Sequence, residues 1–176
     1  MKHQLALLRD PLLNGMDVDG GQRLELHRVM LQRKRMLQVV FAESHHLCKS
    51  LDRQLLSGKG MEIELGAGIA PMKESYADVL ATDVVKSPQS DRILDGEAMD
   101  LADNSVRTIY GQNCFHHFPH PDRFFKELGR VLTPDGGAIL LEPYYGPAAT
   151  FMYNGYSRRK GSIRPIVHGK LSRWDR

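Results

Sequence analysis

Two closely spaced glycines after a short apolar segment are the first residues that point to ligand binding. In ELGAGIAP, residues 64–71, Gly66 and Gly68 are separated by a single residue. Glycine has no Cβ atom, so a turn of this kind lets the backbone approach a ligand closely. A dinucleotide-binding fingerprint would have a third glycine at position 71, where this chain has Pro71. The spacing argues against a nicotinamide dinucleotide and favours a ligand that approaches the backbone at one or two points. A purely structural turn is the alternative.

Two carboxylates follow at the ends of later apolar segments. Asp83 comes 15 residues after Gly68, and a carboxylate at the end of a parallel strand can accept two hydrogen bonds from a ribose diol. Asp95 lies beside Gly96 where a third strand should end, a pairing that suits the edge of an adenine ring. The alternatives are a turn cap for Asp83 and an ordinary surface loop around Asp95.

Three histidines form a further cluster in FHHFPHP, at His116, His117 and His120. We predict no metal site, because two adjacent side chains do not easily converge on one ion and no acidic or cysteine partner has zinc-like spacing. A histidine with a pKa near neutral can act as a general base. His117 is our candidate for that role, with His116 second, and packing under the loop is the alternative.

The elements that must position these residues alternate between strands and helices. The pattern predicts strands over 61–65, 78–84, 92–94, 105–111 and 136–142, and a helix over 121–132. Such an alternation indicates βαβ crossovers, an α/β fold and a mostly parallel sheet.

A helical segment precedes the first strand. Apolar residues recur at intervals of three to four positions across 24–56, which predicts one long helix or two joined near 44–46. His27, His45 and His46 belong to this segment and are interpreted as surface or packing residues.

In this order, the motifs resemble the class I S-adenosylmethionine-dependent methyltransferases, most closely the type 11 subgroup. The resemblance covers about residues 60–146 and rests on MEIELGAGIAP, LATDVVKSP, DGEAMDLADNSV, NCFHHFPHPDRFFKELGRVLTPDGG and ILLEP. It implies a Rossmann-like sheet of strand order 3-2-1-4-5 with the last two family strands missing. It also implies S-adenosylmethionine as cofactor and methyl transfer to an oxygen or nitrogen of a small molecule.

The resemblance further implies which residues hold the cofactor. Those around the turn would flank its amino-acid part: Glu64, Gly66, Ala67 and Gly68. Those at later strand ends would hold the remainder: Asp83 the ribose hydroxyls, Asp95 and Gly96 the adenine, and Asn113 with Cys114 the methyl-donor cleft. Arg107 is a departure, since the family usually has an aspartate there.

Three regions are predicted along the chain. Residues 1–59 form a helical lead-in and cap, 60–146 the cofactor-binding core, and 147–176 a basic tail that is either a poorly ordered end or the remnant of a truncated chain. A fifth strand without further neighbours would leave an apolar edge, which we expect the tail or a second copy in a homo-oligomer to cover.

Composition limits the other possibilities. The chain is 41% hydrophobic and 26% charged, as in ordinary globular proteins. Residues 61–150 carry 7 basic and 14 acidic residues, a balance that does not suit a nucleic-acid groove. We expect no membrane span, and two widely separated cysteines predict a reducing, cytoplasmic location. A binding or scaffold protein without turnover is the main alternative function, followed by a nucleotide-binding oxidoreductase and by RNA modification.

Overall fold

A computed structural model describes residues 23–144 and Gly146. Its centre is a parallel sheet of order β3-β2-β1-β4-β5, which confirms the predicted fold and strand order. The strands are β1 Met61–Leu65, β2 Leu80–Asp83, β3 Arg92–Ile93, β4 Val106–Gln112 and β5 Leu132–Leu141.

The carboxyl ends of the central strands meet at one edge of the sheet. Leu65, the last residue of β1, pairs with Thr82 of β2 on one side and with Gly111 of β4 on the other. The strand order reverses between β1 and β4, and ligands of open α/β sheets bind beyond the strands at such a switch point.

Helices cover the sheet on both faces, as a parallel sheet requires. Helix α4, Pro121–Val131, buries Phe124, Leu128 and Val131 against the strands. On β4 every residue from Thr108 to Gly111 is buried, so this strand lies at the centre of the core. The short helix α3, Pro71–Ser75, follows the glycine turn.

The helical segment before β1 breaks at a different place from the one predicted. Helix α1, Arg23–Arg33, and helix α2, Arg35–Leu55, are separated by Lys34 alone, and α2 runs unbroken through 44–46. The expected joint near 44–46 is therefore wrong.

Side-chain hydrogen bonds explain why the helix breaks at Lys34 and why it continues through 44–46. The amide of Gln38 donates to the carbonyls of Leu31 and Gln32, each at 3.0 Å, and so satisfies acceptors at the end of α1. Ser44 Oγ donates to the Val40 carbonyl at 2.8 Å without interrupting α2.

Strand β5 begins earlier than predicted because its register is irregular. Val106 pairs with Leu132, but Thr108 pairs with Gly137, so the intervening turn projects out of the ladder. In that turn Asp135 has a φ of 63°. Ile139 and Leu141 are only partly buried, and no described strand pairs with the outer edge of β5.

The chain divides into two compact units, 1–142 and 143–176. Only Pro143, Tyr144 and Gly146 of the second unit are described, so the predicted cover of the β5 edge by the tail lies outside the described residues. Within those residues, no helix combines the length and apolarity needed to cross a membrane.

Candidate functional site

The glycine turn follows β1 directly and has the tight geometry expected of it. Gly66 and Gly68 have φ values of 64° and 56°, in the left-handed region that glycine tolerates best. A Cβ atom at position 66 would lie 2.7 Å from Cys114 Cβ, whereas one at position 68 would be 4.0 Å from Leu24. Position 66 therefore requires glycine for close packing, and the backbone at Gly68 borders open space.

Asp83 holds this turn from the end of β2. The Gly68 N–H donates to Asp83 Oδ2 at 2.9 Å, and the Val85 N–H donates to Oδ1 at 3.0 Å. The carboxylate thus caps two backbone donors, as the structural alternative expected. Each carboxylate oxygen can accept more than one hydrogen bond, so these contacts are compatible with ribose binding.

Glu64 is the least compensated charge near the turn. Its residue is 4% exposed, and its Oε2 has no hydrogen-bond partner among the described residues. Burial, and secondarily the nearby Asp83 charge, raises the pKa of Glu64 to about 8. A buried carboxylate without a partner is unfavourable, and a cation placed beside it would relieve that penalty.

A cavity of about 330 Å³ opens over the turn. Its sheet side includes the predicted cofactor residues Glu64, Gly66, Ala67, Gly68 and Asn113. Its other side comes from α1 and α2, so these two helices lie over the turn. Gln112 also lines the cavity, although sequence reasoning had not selected it.

Other predicted site residues lie outside this cavity lining, among them Asp95, Gly96 and His117. Asp95 Oδ1 accepts a hydrogen bond from the Glu97 N–H at 2.8 Å, which forms a local turn. Gly96 is buried, and a Cβ atom there would lie 2.8 Å from the Phe118 ring. Packing against Phe118 is thus sufficient reason for glycine at this position.

The two adjacent histidines follow β4 and differ in their contacts. His116 Nδ1 lies 2.5 Å from Glu142 Oε2. The other oxygen of Glu142 accepts hydrogen bonds from the N–H groups of Cys114 and Phe115, at 3.1 and 2.9 Å. Burial, together with the charge of neighbouring His116, lowers the pKa of His117.

Glu142 is a partner that sequence reasoning missed. It stands at the end of β5, beside the end of β4, and adjacent strand ends are where such pairs form. His120 has a separate carboxylate contact, with Nδ1 3.0 Å from Glu97. Over 23–144 and Gly146, no three His, Cys, Asp or Glu side chains are grouped to hold a metal ion.

Comparison with known proteins supports the α/β fold described above. Residues 64–140 match a family model described as a methyltransferase domain. The match confirms the resemblance to class I S-adenosylmethionine-dependent methyltransferases over this segment, which is less than half of the chain. No curated protein matches the chain in sequence.

Three solved structures illustrate the likeness. The PH0226 protein of Pyrococcus horikoshii is 17% identical with a TM-score of 0.53, over 77% of this chain and 69% of that one. A Methanococcus maripaludis protein assigned as an S-adenosylmethionine-dependent methyltransferase is 14% identical with a TM-score of 0.52, over 83% and 76%. The YcgJ protein of Bacillus subtilis is 19% identical with a TM-score of 0.50, over 65% and 58%.

At these identities the likeness shows the fold alone. The chain also spans little more than half of several matched structures, with 58% of YcgJ and 58% and 54% of two others covered.

Proposed function

We propose that this protein binds S-adenosylmethionine and transfers its methyl group to an oxygen or nitrogen of a small molecule. The observation that carries the proposal is the buried Glu64 carboxylate, unpartnered at Oε2, beside a left-handed glycine turn. The amino-acid end of S-adenosylmethionine carries an ammonium group, which is the kind of partner that Glu64 lacks. The chemistry of this cavity therefore fits the cofactor that the family implies.

The remaining cofactor contacts are proposed from the positions of the strand ends. The backbone of Gly66, Ala67 and Gly68 would flank the amino-acid part beside Glu64. The other proposed positions are Asp83 for the ribose hydroxyls, Asp95 with Gly96 for the adenine, and Asn113 for the methyl-donor cleft. The hydrogen bond from Gly68 to Asp83 supports this arrangement because it holds the proposed amino-acid and ribose positions together.

When bound, S-adenosylmethionine would supply a methyl group attached to a positively charged sulfonium. The acceptor takes the methyl group, and the rest of the cofactor leaves as a neutral thioether. The protein's part is to align the acceptor, exclude water and remove the acceptor's proton. We propose His117 as the base. Its lowered pKa favours the neutral, proton-accepting form near pH 7. His116 is the second candidate because the Glu142 carboxylate orients its ring.

Calorimetric titration with S-adenosylmethionine, S-adenosylhomocysteine and NADH tests the cofactor. We expect micromolar binding of the first two and none of NADH. Glu64→Gln should weaken binding at least about tenfold, because it removes the charged partner of the ammonium group. Glu43→Gln, an exposed change on α2, is the matched control. Binding of NADH alone would favour the oxidoreductase alternative, and no binding of any ligand by the folded protein would refute the proposal.

Turnover is tested by mass spectrometry of an acceptor panel incubated with S-adenosylmethionine. His117→Ala should lower the rate about 100-fold or more if His117 removes a proton in the transition state. His116→Ala is tested beside it, and exposed His46→Ala is the control. If the cofactor binds but no acceptor is methylated, the protein is the scaffold described among the alternatives.

A cytoplasmic location and self-association also belong to the proposal. Cys48 and Cys114 are free and buried, which is compatible with a reducing compartment. The partly exposed residues of β5 are the surface that a second copy would cover.

A further inference from the structure

The cavity wall opposite the glycine turn is mostly apolar. Helices α1 and α2 contribute five residues to it: His27, Met30, Leu31, Leu37 and Phe41. Four of these side chains are apolar and the fifth is an imidazole. None of the described lining residues is lysine or arginine, so the described part of the lining offers no cation to neutralise a phosphate or a carboxylate.

The proposed cofactor site leaves this wall unused. Asp83 and Asp95, the proposed ribose and adenine positions, are not among the described residues that line the cavity. Glu64 and Gly66, the proposed positions for the amino-acid end, do line it. In that arrangement the nucleoside lies away from the helices, and the wall faces the amino-acid part of the cofactor, next to the sulfonium that carries the methyl group.

His27 is the one polar side chain that the helices bring to this space. Burial lowers the pKa of His27, and the positive charge of nearby Arg23 on the same helix adds to the effect. The imidazole is therefore neutral near pH 7, with one nitrogen able to donate a hydrogen bond and the other able to accept one.

We propose that this helical wall is the acceptor subsite, an inference that rests on the proposed function. His27 hydrogen-bonds the hydroxyl or amine of the acceptor, and Met30, Leu31, Leu37 and Phe41 pack against its body. The acceptor is then an uncharged molecule with an apolar, ring-sized body and few polar groups. A saccharide or a phosphorylated metabolite would leave most of its polar groups without partners against such a wall.

Fluorescence titration with N-phenyl-1-naphthylamine tests the wall directly. This neutral probe has an apolar body and one N–H, and its emission rises in an apolar cavity. We expect it to bind the full chain, and to bind equally well when S-adenosylhomocysteine is saturating, because the two occupy different parts of the cleft. Displacement of the probe by S-adenosylhomocysteine would overturn the assignment and show that the wall is part of the cofactor-binding site.

Paired variants locate the probe within the cavity. Phe41→Ala should weaken probe binding about tenfold through lost apolar contact, while Val40→Ala, an exposed neighbour on α2, should not change it. His27→Ala should weaken it about fivefold through one lost hydrogen bond, and His46→Ala should not. Circular dichroism confirms that each variant folds. Unchanged probe binding in both cavity variants would overturn the proposal.

A charge added to the wall gives a second, independent outcome. Leu31→Lys should lower affinity for the neutral probe and raise affinity for the anionic 8-anilinonaphthalene-1-sulfonate, reversing the preference of the wild type. No change in that preference would overturn the proposed selectivity.

Calorimetry with S-adenosylhomocysteine separates this inference from the proposed function. The cavity variants should bind S-adenosylhomocysteine as the wild type does. If the wild type binds no S-adenosylhomocysteine, the proposed function fails whatever the probe does. If it binds S-adenosylhomocysteine but the neutral probe does not bind, only the acceptor subsite fails.

Discussion

Two glutamates on β1 have opposite electrostatic surroundings. Glu62 and Glu64 are two residues apart and therefore point to the same face of the sheet. Burial alone would raise the pKa of Glu62, but hydrogen bonds from Lys49 and Arg107 outweigh it and hold the pKa below its ordinary value. For Glu64 burial prevails, and the pKa rises to about 8. The two sites differ in partners and also in burial, because the Glu62 side chain is 21% exposed and Glu64 is 4% exposed.

The partners of Glu62 form a compensated cluster that fastens α2 to the sheet. Arg107 bridges Glu62 and Asp52, and its contact with Asp52 is 2.6 Å. Asp52 also accepts a hydrogen bond from Thr108 at 2.7 Å, and Lys49 contacts Glu62. Two cations thus face two anions. Arg107, which departs from the family's usual aspartate, has a structural explanation in this cluster.

The Glu62 carboxylate stabilises the fold through its partners, whereas the fold leaves the Glu64 carboxylate without a partner at Oε2. Removing a charge from the compensated cluster should destabilise the protein. Removing the charge of Glu64 should stabilise the ligand-free protein and weaken cofactor binding.

The largest effect is expected at Arg107. Arg107→Met leaves Asp52, whose side chain is 1% exposed, without its closest cationic partner. Breaking a buried ion pair in this way costs about 3–5 kcal/mol, measured as the free energy of unfolding in urea at pH 7. Arg123→Met, an exposed change on α4, should stay within about 0.5 kcal/mol. Equal effects of the two substitutions would show that the cluster contributes nothing.

Glu64→Gln should act in the opposite direction. The ordinary pKa of 4.5 is raised to about 8 in the folded protein. Between these values the unfolded chain has lost the proton and the folded protein keeps it, so wild-type stability falls as the pH rises across this interval. The glutamine variant avoids that loss and should be more stable than the wild type by a few kcal/mol at about pH 8, since one pKa unit corresponds to about 1.4 kcal/mol.

Urea unfolding at about pH 5 and pH 8 measures this difference. The gain from Glu64→Gln should be small at the lower pH and larger at the higher one. Glu62→Gln is the matched variant on the same strand and should destabilise the protein instead. Lys49 and Arg107 stabilise the Glu62 carboxylate and lower its pKa. A neutral amide at position 62 would not form these ion pairs. Destabilisation by both substitutions would remove the distinction between the two sites.

The sequence predicted the features that depend on local pattern. Alternating strands and helices indicated a parallel sheet, and the spacing of Gly66 and Gly68 indicated a tight turn. The order of the strands came from the family resemblance. The break at Lys34 escaped prediction because no glycine or proline marks it. The apolar periodicity continues past it, and the bonds that satisfy the exposed carbonyls come from the Gln38 side chain.

The sequence could not predict those parts of the site that depend on contacts between distant segments. Arg107 and Asp52 are 55 residues apart, so the charge balance at Glu62 becomes visible only when α2 lies on the sheet. The absence of such a balance at Glu64 is equally invisible in the sequence. His27 was interpreted as a surface or packing residue because the helical pattern does not show that α1 lies over the glycine turn.

The smallest predicted effect is the release of a proton from Glu64 when the cofactor binds. With a pKa of about 8, Glu64 is mostly protonated at pH 7 in the ligand-free protein. If the ammonium group of S-adenosylmethionine binds the carboxylate, binding must release up to one proton. Affinity should then rise with pH below about 8, by up to about 1.4 kcal/mol per pH unit. Calorimetry in two buffers of different ionisation enthalpy measures the released proton directly. Glu64→Gln should abolish the release and Glu62→Gln should preserve it, whereas release in the Glu64→Gln variant would assign the proton to another group.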